Sequence, residues 1–80
     1  MKIRFYGKLA DSFGSEREVA VRARCTVAEL RNRLAMDHPE GAESLLHNRV
    51  RACIGDKIAQ DRDIVPEGAE PEFLAPVSGG

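Results

Sequence analysis

Thr26-Val27-Ala28-Glu29-Leu30-Arg31-Asn32-Arg33-Leu34-Ala35-Met36-Asp37 is the stretch on which the reading of this chain turns. Thr26 and Glu29 have the spacing of a capping box. The threonine hydroxyl accepts from the backbone N–H of Glu29, and the Glu29 carboxylate accepts from the backbone N–H of Thr26. Behind the cap, Val27, Leu30 and Leu34 recur at helical spacing, with Arg31, Asn32 and Arg33 around the polar side. Pro39 forbids continuation, which predicts one main helix over Val27 to Asp37. Its single apolar stripe needs a second layer to cover it.

On the N-terminal side, Ile3 and Phe5 alternate with Lys2, Arg4 and Tyr6, the period of a half-buried strand. Lys8 to Phe13, between Gly7 and Gly14, reads as one or two helical turns. Glu16 to Arg22 alternates again, with Val19 and Val21 facing inward, so an antiparallel pair is expected. On the C-terminal side, Gly41 to His47 reads as a short helical patch, its Leu45 and Leu46 serving as core or lid. Arg49 to Ile54 places Val50, Ala52 and Ile54 on one strand face. Gly55-Asp56 turns the chain into a brief return strand at Lys57-Ile58-Ala59. Pro66-Glu67-Gly68 is a turn by composition, and Glu72 to Ala75 is the last strand.

This order predicts an α+β domain of the ubiquitin-like β-grasp type: a mixed sheet of four to five strands with one main helix packed across it. In that arrangement the first and last strands lie side by side and parallel at the centre. The domain then occupies 1–75, and 76–80 projects from it as a flexible tail. Pro76 stiffens the exit through its fixed φ, and Val77 to Gly80 reaches at most about 14 Å beyond it.

Eighty residues make one small domain. Twelve Lys and Arg against thirteen Asp and Glu leave a net charge of −1, which argues against a nucleic-acid binder. A hydrophobic content of 42% is ordinary for a globular chain. No apolar run approaches the ~20 residues of a membrane span, and Met1 to Phe5 is too polar for a signal peptide. Cys25 and Cys53 fit no metal or CxxC spacing, so a cytoplasmic protein with reduced thiols is the simplest reading. Cys25 lies just before the helix cap, where the dipole can lower a thiol pKa; a passive cysteine is the alternative. Cys53 reads as a buried small apolar residue. His38 and His47 are isolated, so no metal site is expected. Arg31, Arg33, Arg49 and Arg51 read as a basic docking face or as plain solvated surface.

The chain ends Pro76-Val77-Ser78-Gly79-Gly80. Without Cβ atoms, Gly79 and Gly80 thread a tunnel closed to other residues and present a carboxylate at its end. By composition alone about one chain in two hundred ends Gly-Gly, so the rest of the chain must supply the context.

The segment Phe73-Leu74-Ala75-Pro76-Val77-Ser78-Gly79-Gly80 resembles the Phe-Phe-Pro-Pro-Val-Ser/Thr-Gly-Gly ending of the small, sulfur-carrying subunit of molybdopterin synthase. Ile3-Arg4-Phe5-Tyr6-Gly7-Lys8-Leu9-Ala10 resembles that family's first strand and following short helix, and the likeness spans essentially the whole chain. Ala69 and Pro71 depart from the family's pattern, and the proline predicts a last strand that starts one residue later or is bulged.

The resemblance implies that an E1-like adenylating enzyme activates the Gly80 carboxylate with Mg-ATP, which the partner binds; the chain itself holds no cofactor. A persulfide protein then supplies sulfur, giving a Gly80 thiocarboxylate, and Ser78 and Gly79 thread the partner's channel. The loaded end enters the large synthase subunit, in a heterotetramer, and delivers sulfur to cyclic pyranopterin monophosphate. The chain is thus a non-catalytic donor subunit. Phe73, Leu74, Pro76 and Val77 form the docking surface at the tail's root; Phe73 and Ala75 share a strand face, which favours Phe73 as core and Leu74 as partner-facing. Two other readings share the first activation step: a carrier for thiamine or tRNA thiolation, and a ubiquitin-like protein modifier. A plain β-grasp interaction domain with an inert tail is the remaining one.

Overall fold

The capping box forms as its spacing dictates. Glu29 N–H donates to Thr26 Oγ1 at 3.1 Å and Thr26 N–H donates to Glu29 Oε1 at 2.9 Å. In the computed structural model, which describes residues 1–22, 24–47 and 49–75, this cap opens α2 (Val27–Asp37). The remaining orphan donors of the first turn are met from a distant loop: Val27 N–H donates to the Asp63 carbonyl and Ala28 N–H to that of Asp61, both at 3.0 Å. Val65 N–H returns to the Cys25 carbonyl at 2.7 Å, so the loop after the fourth strand is stitched to the helix start.

Five strands form one sheet: β1 (Lys2–Tyr6), β2 (Glu16–Glu18), β3 (Arg51–Ile54), β4 (Lys57–Ala59) and β5 (Glu72–Leu74). Their order is β2-β1-β5-β3-β4. β1 and β5 run parallel at the centre, Phe5 abreast of Phe73, and the other three pairings are antiparallel. With α1 (Lys8–Phe13) and α2 covering one face, this is the mixed, helix-crossed β-grasp sheet that the element order predicts.

The core lies between the sheet and α2. Ile3, Phe5, Ala52 and Phe73 descend from the sheet, while Val27, Leu30 and Leu34 come from the helix, all buried. Phe5 stacks on Phe13 at 4.8 Å between centroids and on Phe73 at 6.0 Å. Burial of each such side chain contributes about 1.5–3 kcal/mol, which is how so small a domain holds two central strands fixed.

The ladders are shorter than the alternation suggests. β2 stops at Glu18 because the register sets Val19 against Met1, where β1 runs out; Val19 is nonetheless buried and Val21 packs against the core. β3 starts at Arg51, because Val50 N–H is taken into a turn by the His47 carbonyl at 3.1 Å. The helical patch divides into a 3₁₀ turn at Pro39–Gly41 and α3 (Ala42–Leu45). Leu45 is core, whereas Leu46 faces solvent. β5 starts at Glu72; Pro71, which has no N–H to give, sits buried with its carbonyl accepting from Arg4 N–H at 3.0 Å.

At Gly41 the packing leaves no room for a side chain unless a neighbour shifts. A Cβ there would lie 2.5 Å from Phe13 Cε2, so the 3₁₀ turn passes against the ring only because the side chain is missing.

Candidate docking face at the root of the C-terminal segment

Strand alternation sends Phe73 inward and Leu74 outward. Phe73 is fully buried, between Phe5 on one side and the α2 side chains beyond it, and offers no surface to a partner; its place among the docking residues is therefore corrected to core. Leu74 is 36% exposed on the open face of the sheet. Pro76, Val77, Ser78, Gly79 and Gly80 lie outside the described residues.

Register assembles the rest of this face. Tyr6 of β1 lies beside Leu74 in the parallel pairing, and Arg51 of β3 lies on the other side of Leu74. One row away, Cys53 sits between Glu72 and Ile58. Tyr6 is 44% exposed and Ile58 68%, so three large apolar side chains stand on a face that no described helix covers. Single exposed apolar residues mean little, but three on one sheet face beside a chain end mark an interaction surface. Charge frames it: the Tyr6 hydroxyl donates to Glu72 Oε2 at 3.2 Å, and Arg4 lies 3.6 Å from Glu16 and 3.7 Å from Glu70.

Tyr6 and Ile58 were not among the docking residues read from the sequence. A signal existed for each, since both are large apolar residues at outward strand positions. What the sequence lacks is the pairing that brings them to Leu74.

The root itself is fixed from two sides. Gly7, at φ 68°, turns β1 into α1 directly against Ala75, whose carbonyl lies 3.5 Å from where a Gly7 Cβ would stand. Only glycine takes that backbone conformation readily. On the helix side, Arg31 turns inward. Nη1 donates to the Leu45 carbonyl at 3.1 Å and Nη2 to that of Val50 at 3.0 Å. Its Nε, buried, is 3.0 Å from Asp61 Oδ1, an ionic contact without hydrogen-bond geometry.

The four arginines do not share one face. Arg31 is a packing residue, Arg33 pairs with Asp37 along α2 at 3.1 Å, and Arg51 lies beside Leu74 in the β3–β5 pairing. Cys25 differs from the dipole argument too. Burial raises its thiol pKa above the ordinary value of 9.0, and the Glu29 carboxylate raises it further, together outweighing the lowering by a backbone hydrogen bond. Cys53 is half-buried on the open face rather than core. His38 packs edge-on against Phe13 at 5.0 Å, and His47 Nδ1 accepts from Arg49 N–H at 3.1 Å. Among the described residues there is no group of three or more His, Cys, Asp or Glu able to hold a metal, and no helix long and apolar enough to cross a membrane.

A mixed five-stranded sheet with a central parallel pair and one main helix packed across it defines the ubiquitin-like β-grasp class. The chain belongs to the ThiS family, whose profile matches residues 3–80. No curated protein matches its sequence. Among solved structures it is similar to SAMP1 from Haloferax volcanii, with a TM-score of 0.80 at 22% identity, covering 99% of this chain and 97% of that one. It is equally similar in fold, at 0.80 and 14% identity with 95% of each chain covered, to a Pyrococcus furiosus protein provisionally described as molybdopterin converting factor, subunit 1. A structure of the H. volcanii small archaeal modifier protein 1 gives 0.78 at 19% identity, again over 95% of each chain. At these identities the likeness is one of fold.

Proposed function

We propose that this chain is the sulfur-carrier subunit of molybdopterin synthase, working in the cytoplasm. The observation that carries the reading is the pairing of Tyr6 with Leu74 on the open face of the central strands, at the root of a segment that ends Ser78-Gly79-Gly80. Such a face docks a partner while the side-chain-free end enters that partner's active site.

The chemistry follows from the terminal carboxylate, a poor electrophile because negative charge is delocalised over its two oxygens. In the proposed sequence, an E1-like enzyme holding Mg-ATP lets a Gly80 carboxylate oxygen attack the α-phosphate, with pyrophosphate leaving. The terminal sulfur of a persulfide protein then attacks the acyl carbon and AMP departs. A second thiol cleaves the resulting acyl disulfide and leaves the Gly80 thiocarboxylate. The large synthase subunit, in a heterotetramer, takes up this end, and the sulfur attacks cyclic pyranopterin monophosphate. The carrier's contribution is tethering: an oriented sulfur replaces a dilute one, an advantage of several kcal/mol of barrier by the effective-molarity argument. Ser78 and Gly79 line the threaded segment, and Leu74, Pro76 and Val77 seat its root.

A second reading is a protein modifier, favoured by the likeness to the Haloferax small archaeal modifier. There Gly80 forms an isopeptide bond instead of a thiocarboxylate. Incubation with the adenylating enzyme, Mg-ATP and a persulfide donor, followed by intact mass measurement, separates these. An oxygen-to-sulfur gain at Gly80 supports the carrier. Its absence with a verified active enzyme, or adducts on lysines of other proteins in its place, defeats that reading. Sulfur transfer on addition of the large subunit and pterin precursor tests the synthase assignment, against thiamine or tRNA thiolation.

A further inference from the structure

Glu72 stands on the open face of the sheet without a counter-charge. Arg4 is its neighbour in the β1–β5 pairing, but the Arg4 guanidinium lies between Glu16 at 3.6 Å and Glu70 at 3.7 Å. On the β3 side, register sets Cys53 rather than Arg51 beside Glu72, and Ile58 follows beyond Cys53. Among the described residues no cation stands within ion-pair distance of the Glu72 carboxylate. Its partner is neutral: the Tyr6 hydroxyl donates to Oε2 at 3.2 Å. A half-buried carboxylate is thus set among Tyr6, Leu74, Cys53 and Ile58.

Such a group dictates what can cover it. A partner that seats on Tyr6, Leu74 and Ile58 takes water from the carboxylate as well, and an unpaired charge taken out of water opposes the contact. A wholly apolar partner surface is therefore disfavoured, and an anionic one is repelled. A positive side chain reverses the sign, because two opposite charges attract more strongly where water is excluded. The Tyr6 hydroxyl prepares the site. It holds one carboxylate oxygen, which fixes the direction of the side chain and leaves Oε1 to accept from outside.

We propose that Glu72 is the specificity-determining contact of this face. It receives a lysine or arginine side chain of the adenylating enzyme, while Tyr6, Leu74 and Ile58 make the apolar contacts around it. The inference rests on the proposed function in taking an adenylating enzyme as the occupant of the face. It adds the charge that this enzyme must present there. It also gives Tyr6 a second duty, as the donor that positions the carboxylate.

The test is calorimetric titration of the full-length chain into an E1-like adenylating enzyme, without ATP so that docking alone is read, at low and at high salt. Glu72→Gln keeps an acceptor for the Tyr6 hydroxyl and removes the charge. It is expected to weaken binding roughly 10- to 100-fold at low salt and to flatten the salt dependence, with an unchanged unfolding midpoint. Tyr6→Phe keeps the ring and the charge, so the salt dependence should persist with a loss of only a few-fold. Glu72→Gln that binds as tightly as the native chain, or tighter, overturns the proposal; the carrier reading stands if the chain still gains sulfur at Gly80. An equal loss at low and high salt also overturns it, since that marks a change of shape rather than of charge. A native chain that the enzyme neither binds nor adenylates overturns both.

Discussion

The guanidinium of Arg31 lies 5.4 Å from the centroid of the Phe73 ring, so the strand that leads to the chain end is held from beneath by a charge. The same group donates two hydrogen bonds, to the carbonyls of Leu45 and Val50. Those carbonyls belong to the end of α3 and the approach to β3. One side chain therefore ties the helix layer, the loop before β3 and the central strand together, and it does so with a planar donor fork that few residues supply.

Replacing Arg31 by Ala leaves both carbonyls without their donor and removes the charge from the Phe73 ring. The expected loss is roughly 2–3 kcal/mol, the range for buried hydrogen bonds to charged groups. Arg31→Lys keeps the charge but not the fork, and should recover only part of this. Urea midpoints of the three proteins check it; equal midpoints for Arg31→Lys and the native chain would show that geometry is irrelevant here.

Gly41→Ala tests close packing rather than polarity. The added methyl meets the Phe13 ring, which cannot swing away because it is stacked on Phe5 and flanked by His38. Overpacking of this kind costs about 1–3 kcal/mol. A thermal melt that is unmoved would mean that the 3₁₀ turn gives way instead.

How much of this was legible in advance depends on the range of the interaction. Thr26 and Glu29 are three residues apart, and their cap reads directly from spacing. The alternation of Ile3 with Phe5 and of Val50 with Ala52 likewise fixes which faces are inward. Strand ends depend on the partner and do not read from one strand alone: Val21 alternates correctly yet has no residue of β1 opposite it. Arg31 sits on what looks like the polar side of α2, and nothing local reveals that its long stem reaches carbonyls 14 and 19 residues away. The docking face has the same character. Leu74 is visible as the outward neighbour of Phe73, but its contact with Tyr6 and the nearness of Ile58 arise only from the order β1-β5-β3-β4.

The capping box makes stability depend on pH. Hydrogen bonds from the Thr26 backbone N–H, then from its hydroxyl, hold the Glu29 carboxyl below its ordinary value of 4.5. A depressed folded pKa means that the unfolded chain takes up the proton first as pH falls. The stabilisation is therefore present above the ordinary value and is lost as pH drops through the folded one. Thr26→Ala removes the hydroxyl that accepts from Glu29 N–H, a loss of about 1 kcal/mol near neutrality. The gap between native and variant should narrow in acid, as the Glu29 share disappears. Denaturant titrations at neutral pH and well below the glutamate range measure it, and a constant gap would mean that the carboxylate contributes nothing.

Cys25 should be a slow nucleophile. Its raised pKa, from burial and then from Glu29, keeps the thiol protonated at neutral pH. Timed alkylation followed by peptide mass spectrometry is expected to label it more slowly than an unfolded control. Glu29→Gln, which removes the nearby negative charge while keeping an acceptor for the cap, should speed that labelling. Rapid native labelling would show instead that the thiol is activated at the start of α2.

Phe73 and Leu74 are consecutive, and the structure assigns them opposite duties. Phe73→Ala empties a fully buried site between Phe5 and Arg31 and should cost about 3–5 kcal/mol of stability. Leu74→Asp alters only an outward side chain, so stability should change by about 0.5 kcal/mol or less. Binding is where it should act. A charge at the centre of the apolar face, between Tyr6 and Arg51, should weaken the proposed complex with an adenylating enzyme about 10- to 100-fold, the range for a central anchor. Calorimetric titration of that complex, with unfolding curves in parallel, separates the two effects. Native affinity in Leu74→Asp would remove the sheet face from the interface and leave residues 76–80 to carry recognition alone.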